Sequence, residues 1–254
     1  VWRFHPMISA GVSVQVRVSV IFCRGKWKNI FMNTNFISCN VLPAQKAPVQ
    51  HSDIIDGSVL MTREEIKKDL KNLLSEKRFE HTLGVEYTSA CLAMRYGADM
   101  EKARMAGLLH DCAKYLSADE KVAYSKRYGM PMSKYEKKNP ELLHAKLGAC
   151  FANVKYGVAD PEILSAITWH TTGKPDMSLL DKIVYVADYL EPNRNQAPNL
   201  AEVRELAFKD LDECLCQILE DSIKYLSNKK STMDPMTRRT WEYYRIYRMR
   251  NQEV

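Results

Sequence analysis

The sequence predicts an all-α fold, on the basis of helical periodicity, helix caps and a low content of helix breakers. Beyond position 61, apolar residues recur every three or four positions and do not alternate, which is typical of helices that bury one face. Only ten Gly and ten Pro occur among 254 residues, and 46% of the residues are hydrophobic. Such a chain can bury a sizeable core. We therefore expect a helical bundle without internal repeats.

The first sixty residues lack this periodicity. They mix β-branched runs with scattered Trp, Asn and Pro, and they match no secretory signal, since basic residues interrupt the apolar stretch. Met61 stands directly before Thr62, which forms a T-x-x-E capping box with Glu65. We expect residues 1–60 to be an extraneous, poorly ordered N-terminal extension outside the catalytic fold, and residues 61–254 to form the domain.

Each later helix is predicted from its apolar spacing and from a residue that begins or ends it. Asp99 and Ser178 are expected to begin helices, and Gly97 is an expected C-terminal cap. An aromatic, Arg-rich tail follows Pro235. After the first helix, the predicted helices cover residues 79–95, 100–114, 117–127, 140–156, 161–170, 178–190 and, as one long or broken helix, 199 to about 227.

The net charge of +6 is not concentrated in the predicted domain. Residues 1–60 hold six Lys or Arg against two Asp or Glu, so 31 basic and 29 acidic residues remain in 61–254, a net charge of +2. This near-neutral body argues against a broad nucleic-acid surface but is compatible with a local phosphate pocket. No segment has the roughly 18 uncharged apolar residues that span a bilayer. We expect no nucleic-acid partner and no membrane partner.

Seven cysteines, an odd number, occur without any C-x-x-C pair. This pattern is typical of reduced thiols and not of a disulfide framework or a zinc ribbon. It therefore predicts a cytoplasmic protein in which most of the cysteines are small buried residues.

The histidines beyond position 61 each lie within or at the edge of a predicted helix. They are His81, His110, His144 and His170. A single histidine of this kind is more often a core or surface residue than a ligand. His110, however, is followed at once by Asp111 after an apolar run, so an imidazole and a carboxylate emerge together where side chains should be buried. The pair is therefore a candidate for binding an ion with residues from other helices.

A second carboxylate stands in equally apolar surroundings. Asp188 lies in the segment 183–189, where burying an unpaired carboxylate is costly. A metal ion would compensate its charge, and His81 is a suitable further ligand. Two histidines and two aspartates make a mixed nitrogen and oxygen shell, which suits iron, manganese or other borderline divalent ions better than thiol-selected zinc.

Five sequence blocks carry a resemblance to a known family. They are RFEHT at 78–82, GLLHDCAK at 107–114, LHA at 143–145, ITWHTTG at 167–173 and ADYLEPNR at 187–194. Together they resemble the YqeK family of HD-domain phosphohydrolases over residues 62–250. A His-Asp dipeptide alone is a weak signal, whereas the ordered set is specific. The resemblance implies an HD-domain helical bundle, an iron site, and symmetrical hydrolysis of diadenosine tetraphosphate and related dinucleoside polyphosphates to two ADP.

The resemblance also implies roles for individual residues. The expected metal ligands are His81, His110, Asp111 and Asp188. His81 is expected to face the substrate as well, and Asp111 to act catalytically as a proton acceptor. His144, His170 and Thr171 are expected to contact the substrate phosphates, and a second metal ion bound by the two histidines is left open.

Three basic residues in these blocks are candidates for phosphate binding: Arg78, Lys114 and Arg194. Arg78 precedes His81 by one helical turn, and Arg194 follows Asp188 by six residues, so each guanidinium can reach phosphate oxygens. Lys114 is expected to share the helical face of His110, four residues earlier, and to neutralise phosphate charge during catalysis. A solvated surface charge is the alternative for all three.

The expected reaction is attack of a metal-activated water on an internal phosphorus while ADP leaves. No G-x-S-x-G, P-loop or G-x-G-x-x-G element points to another chemistry. Two alternatives are left open. One is another HD nucleotide phosphohydrolase, acting on nucleoside triphosphates or cyclic nucleotides, and the other is a non-catalytic nucleotide-binding HD module. The expected partner is a dinucleoside polyphosphate or ADP, and a homodimer is also left open.

Overall fold

The computed structural model describes residues 61–228, except 196 and 198, and residues 233–252. Within this part of the chain every regular element is a helix and no strand occurs. The predicted all-α class is therefore confirmed. Residues 1–60 lie outside the described part, so the extension expected there stays a prediction.

The helices of the described residues follow one another with short connections. None of them is long and apolar enough to cross a membrane. They are α1 (Arg63–Leu73), α2 (Glu76–Tyr96), α3 (Met100–Leu109), α4 (Ala118–Arg127), α5 (Lys134–Lys138), a 3₁₀ turn (Pro140–Leu142), α6 (Leu143–Val154), α7 (Pro161–Trp169), α8 (Leu179–Leu190), α9 (Leu200–Lys209), α10 (Leu211–Asn228) and α11 (Pro235–Gln252).

Local caps begin and end several helices where the sequence predicts them. The Thr62 hydroxyl accepts a hydrogen bond from the Glu65 amide, and the Glu65 carboxylate accepts one from the Thr62 amide, so the capping box is formed. The Asp99 carboxylate caps α3 by accepting hydrogen bonds from the amides of Glu101 and Lys102. Gly97 ends α2 with φ of 70°, a left-handed conformation that favours glycine.

The end of α3 differs from the prediction. The helix stops at Leu109, because the following residues form tight turns in which the Cys112 amide donates to the Leu109 carbonyl and the Lys114 amide donates to the Asp111 carbonyl. The expectation that Lys114 shares a helical face with His110 is therefore wrong. Lys114 reaches the site through a turn.

Other differences concern breaks and short helices. The predicted helix 140–156 begins as a 3₁₀ turn and becomes α-helical at Leu143. The segment from 199, predicted as a long or broken helix, has the broken form: the break is at Asp210, whose backbone is extended and whose carboxylate accepts a hydrogen bond from the Glu213 amide. Two helices, α5 and α11, were not predicted from the sequence. With five residues, α5 is too short to show a period, whereas α11 is rich in polar residues.

The centre of the bundle is formed by α2, α3 and α8, which pack against one another. On α8, Ile183, Val184 and Ala187 have no exposed surface. α2 and α3 approach so closely that a Cβ at Gly107 would lie 2.9 Å from the Val85 carbonyl oxygen. This packing places the C-terminal end of α3 between α2 and α8, where the candidate ligands lie.

Candidate metal centre

Histidines and aspartates from five segments converge inside the bundle. His81 is on α2, His144 on α6 and Asp188 on α8. The remaining candidate ligands lie where helices end: His110 and Asp111 directly after α3, and His170 directly after α7. All four imidazoles are buried. The four histidines and two aspartates singled out from the sequence are thus brought together.

One half of the site contains His81, His110 and Asp188. The Nε2 atom of His81 lies 3.1 Å from Asp188 Oδ1 and 3.3 Å from His110 Nε2. His110 Nε2 is 3.8 Å from the same Asp188 oxygen. These three ligand atoms therefore lie within 4.8 Å of one another, close enough to share one ion.

The other half contains His144 and His170, and Asp111 lies between the halves. His144 Nε2 and His170 Nε2 are 3.2 Å apart. They lie 3.3 Å and 3.7 Å from Asp111 Oδ1. The second oxygen of Asp111, Oδ2, is 3.6 Å from His110 Nε2 and 3.9 Å from His81 Nε2. Asp111 thus offers one carboxylate oxygen to each pair of histidines.

Hydrogen bonds on the far side of each ring set the orientation of all four imidazoles. The Nδ1 atom of His81 lies 3.0 Å from Glu191 Oε1. His110 Nδ1 and His170 Nδ1 lie 2.6 Å from the Gly107 carbonyl oxygen and 2.7 Å from the Ile167 carbonyl oxygen. His144 Nδ1 is hydrogen-bonded to the carbonyl of Glu141. Since the carboxylate and carbonyl partners accept hydrogen bonds, Nδ1 is the donor atom of each ring and Nε2 is the atom directed toward the centre.

The donor set fits a bound cation. The Nε2 atoms within each pair of histidines lie 3.2–3.3 Å apart, so one cation can be bound by both nitrogens of a pair. Burial lowers the pKa of His110 to about 4 and that of His144 to about 3. Both rings are therefore neutral at pH 7, the form that binds metal ions. A divalent ion would also compensate the charges of the buried Asp111 and of Asp188, which is only partly buried, with 19% of its side chain exposed.

The basic residues expected at phosphates border the same carboxylates. Arg78 Nη1 lies 2.8 Å from Asp111 Oδ2. Arg194 donates to Asp188 twice, through Nη2 to Oδ1 at 2.8 Å and through Nε to the carbonyl oxygen at 3.0 Å. Their side chains are 36% and 43% exposed, so both guanidinium groups lie at the rim of the site.

Lys114 and Thr171 stand beside the second pair of histidines. Lys114 Nζ is 3.3 Å from His144 Nδ1, and burial lowers the pKa of this lysine. The Thr171 hydroxyl lies 3.0 Å from His170 Nε2 and 3.2 Å from His144 Nε2. The structure therefore brings every residue of the sequence-based site to one region.

Glu191 is a site residue that the sequence analysis missed. Its side chain is buried at the end of α8, where Oε1 faces His81 Nδ1 and Oε2 accepts a hydrogen bond from the Asn193 amide at 2.7 Å. A Cβ at Gly84 would lie 2.3 Å from Oε2, so glycine at this position makes room for the carboxylate. The sequence feature that could have indicated this role is the position of Glu191, a carboxylate three residues after the candidate ligand Asp188.

The fold and site define an HD-domain protein, since residues 78–193 match the family model of the HD domain. Over 183 residues the chain is 42% identical to the symmetrical bis(5'-nucleosyl)-tetraphosphatase of Bacillus subtilis. The aligned region covers 72% of this chain and 97% of that protein. The chain is also 39% identical to the protein of the same description from Halalkalibacterium halodurans, and the aligned region covers 71% of this chain and 96% of that protein. The chain belongs to the HD-domain family of symmetrical bis(5'-nucleosyl)-tetraphosphatases.

A solved structure is similar along the same region. It is the crystal structure of a protein from Clostridium acetobutylicum described as a predicted HD superfamily hydrolase involved in NAD metabolism. The TM-score is 0.72 at 38% sequence identity, and the match covers 75% of this chain and all of the other. The helical arrangement described above is therefore shared with a crystallographically solved relative.

Proposed function

We propose that this chain hydrolyses diadenosine tetraphosphate, and related dinucleoside polyphosphates, at the central anhydride to give two ADP. The observation that carries the proposal is the convergence of four Nε2 atoms on Asp111 and Asp188. Relatives that bear the tetraphosphatase description match this chain over nearly their whole length, which supports the substrate. ADP is the expected product, and we expect it to bind at the same site.

The proposed metal ligands are His81, His110, Asp111 and Asp188. When bound, a divalent ion supplies a Lewis acid and lowers the pKa of water. The histidines hold their positions because Nδ1 is anchored in each ring, so little reorganisation is needed during the reaction. Asp111 is also the proposed proton acceptor for the attacking water, since its carboxylate lies between the two pairs of histidines.

The remaining polar residues bind and orient the phosphates. Arg78 and Arg194 have guanidinium donors beyond those used on Asp111 and Asp188, and their exposure makes these available to phosphate oxygens. Lys114 neutralises charge on the leaving ADP. His144, His170 and Thr171 contact the phosphates on the other side of Asp111.

We infer that the metal is iron, which the family resemblance implies and which is among the borderline divalent ions that suit a shell of imidazole and carboxylate ligands. Asp111 with His144 and His170 has the donors for a second ion, which supports a dinuclear form. We also propose a cytoplasmic location, in keeping with the free cysteines of the described residues. No nucleic-acid partner is proposed, in keeping with the near-neutral charge of residues 61–254.

The experiment is a turnover assay on protein purified without air, stripped of metal and reloaded separately with iron(II), manganese(II) or zinc(II). The substrate panel contains diadenosine tetraphosphate, ATP and cyclic AMP. We expect hydrolysis only after reloading, greatest with iron, and with the dinucleotide as the preferred substrate. Preference for ATP or cyclic AMP would support the other phosphohydrolase class. Nucleotide binding without turnover would support a binding module.

A further inference from the structure

A cavity of about 250 Å³ lies next to the metal centre, between α5, α6, the C-terminal end of α7 and the start of α11. Its lining includes Tyr135, Ala145, Trp169, Thr171 and Arg239. None of the roles proposed above uses this space, apart from that of Thr171.

The cavity is joined to the centre through three consecutive residues, Trp169, His170 and Thr171. The His170 ring faces Asp111, whereas Trp169 and Thr171 line the cavity. The Thr171 hydroxyl lies 3.0 Å from His170 Nε2 and so belongs to both spaces. The side chain of Thr171 therefore lies between the cavity and the centre.

The chemistry of the cavity differs from that of the centre. The cavity lining has no net charge, because it contains two acidic residues, Glu136 and Asp234, and two basic residues, Lys146 and Arg239. Glu136 and Lys146 also pair directly, at 2.6 Å. The centre, in contrast, is bordered by three basic side chains and is suited to phosphates. A neutral lining with two aromatic side chains is suited to a flat uncharged group.

We propose that this cavity binds one nucleoside of the dinucleoside polyphosphate, with the base stacked on Trp169 and Tyr135 and the phosphates passing Thr171 toward the metal centre. The proposal rests on the proposed function. A volume of 250 Å³ lies just below the range of about 300–1,000 Å³ typical of sites for drug-sized ligands. It therefore suits one nucleoside and not the whole substrate. Aromatic side chains stack on all bases, so adenosine is held by its ring surface.

The test compares the binding of ADP and of inorganic pyrophosphate to metal-loaded protein by calorimetry. Stacking of one base contributes about 1–3 kcal/mol, which corresponds to about a 5- to 150-fold change in affinity. We expect Trp169→Leu to weaken ADP binding by such a factor and to leave the Kd of pyrophosphate within about twofold of wild type. Trp169→Phe should recover most of the ADP affinity, since it restores an aromatic face.

Two further variants keep the test decisive. Tyr135→Leu, on the surface of α5, should give the same selective loss even if Trp169→Leu does not fold. Tyr87→Leu changes an aromatic side chain on α2 that is 52% exposed and outside the cavity, so it should bind both ligands like wild type.

Two results would overturn the proposal: equal losses for ADP and pyrophosphate, or unchanged ADP binding in both cavity variants. The proposed function is tested apart from this by turnover of wild type, and it fails if wild type makes no ADP from diadenosine tetraphosphate or prefers ATP or cyclic AMP. In that event a selective effect of Trp169→Leu on ADP would still support the nucleoside site.

Discussion

The substitution Glu191→Gln tests how the protein prepares His81 to bind metal. In wild type, the two carboxylate oxygens of Glu191 serve two donors, His81 Nδ1 at 3.0 Å and the Asn193 amide at 2.7 Å. Glutamine has nearly the same shape but only one oxygen. One donor therefore loses its acceptor, or His81 changes to the tautomer that carries hydrogen on Nε2. In that tautomer Nε2 no longer offers a lone pair to the metal.

The expected loss can be estimated in two ways. An unsatisfied buried donor costs about 1–3 kcal/mol, which is about a 5- to 150-fold loss if the whole cost falls on the metal-bound state. Removal of an outer partner of a metal-ligating histidine typically lowers metal affinity by about 10- to 100-fold. We therefore expect Glu191→Gln to weaken metal binding by about 10- to 100-fold.

The assay is competition for metal with a coloured chelator, which needs no turnover. Asp181→Asn is the matched control, because Asp181 is also a buried carboxylate of α8 but lies at the opposite end, where it pairs with Lys174 at 2.9 Å. The control should unfold at a lower temperature yet keep wild-type metal affinity. Wild-type affinity in Glu191→Gln would refute the role given to this carboxylate.

Three other predictions follow from the same structure. Arg194→Ala should raise KM for diadenosine tetraphosphate while the protein still binds metal, and an unchanged rate and KM would make Arg194 a solvated charge. Gly107→Ala should destabilise the fold by about 1–3 kcal/mol in denaturant unfolding, because the added Cβ presses on the Val85 carbonyl; wild-type stability would mean that α2 and α3 separate easily. A chain that begins at Met61 should keep full activity and one cooperative unfolding transition, and a large loss of either would show that residues 1–60 belong to the fold.

Local signals made much of the fold predictable. Capping by Thr62 and Asp99 depends on neighbours within three residues, so the sequence alone is sufficient to locate these helix starts. The early end of α3 has a tertiary cause. The turns after Leu109 direct His110 toward His81 and Asp111 toward His144, and these partners are distant in sequence.

The candidate site was predictable to a different extent. The histidines and aspartates in the five sequence blocks were sufficient to predict the candidate ligands. They did not predict which ligand atoms lie next to one another. Glu191 illustrates this limit, because its role depends on two residues of α2 that are distant in sequence. Gly84 leaves space for the carboxylate, and the ring of His81 is oriented so that Nδ1 faces it. The nucleoside cavity likewise requires α5 and α11, two helices without a clear sequence period.

The most direct test of the central claim is product analysis of diadenosine tetraphosphate hydrolysis in water labelled with heavy oxygen. Metal-loaded protein is mixed with substrate, the nucleotide products are separated, and their masses are determined by mass spectrometry. Attack of water on a phosphorus next to the central bridging oxygen predicts ADP as the sole nucleotide product, with one labelled oxygen on the β-phosphate of one ADP in each pair. Equal amounts of ATP and AMP would show asymmetric cleavage and would contradict the account.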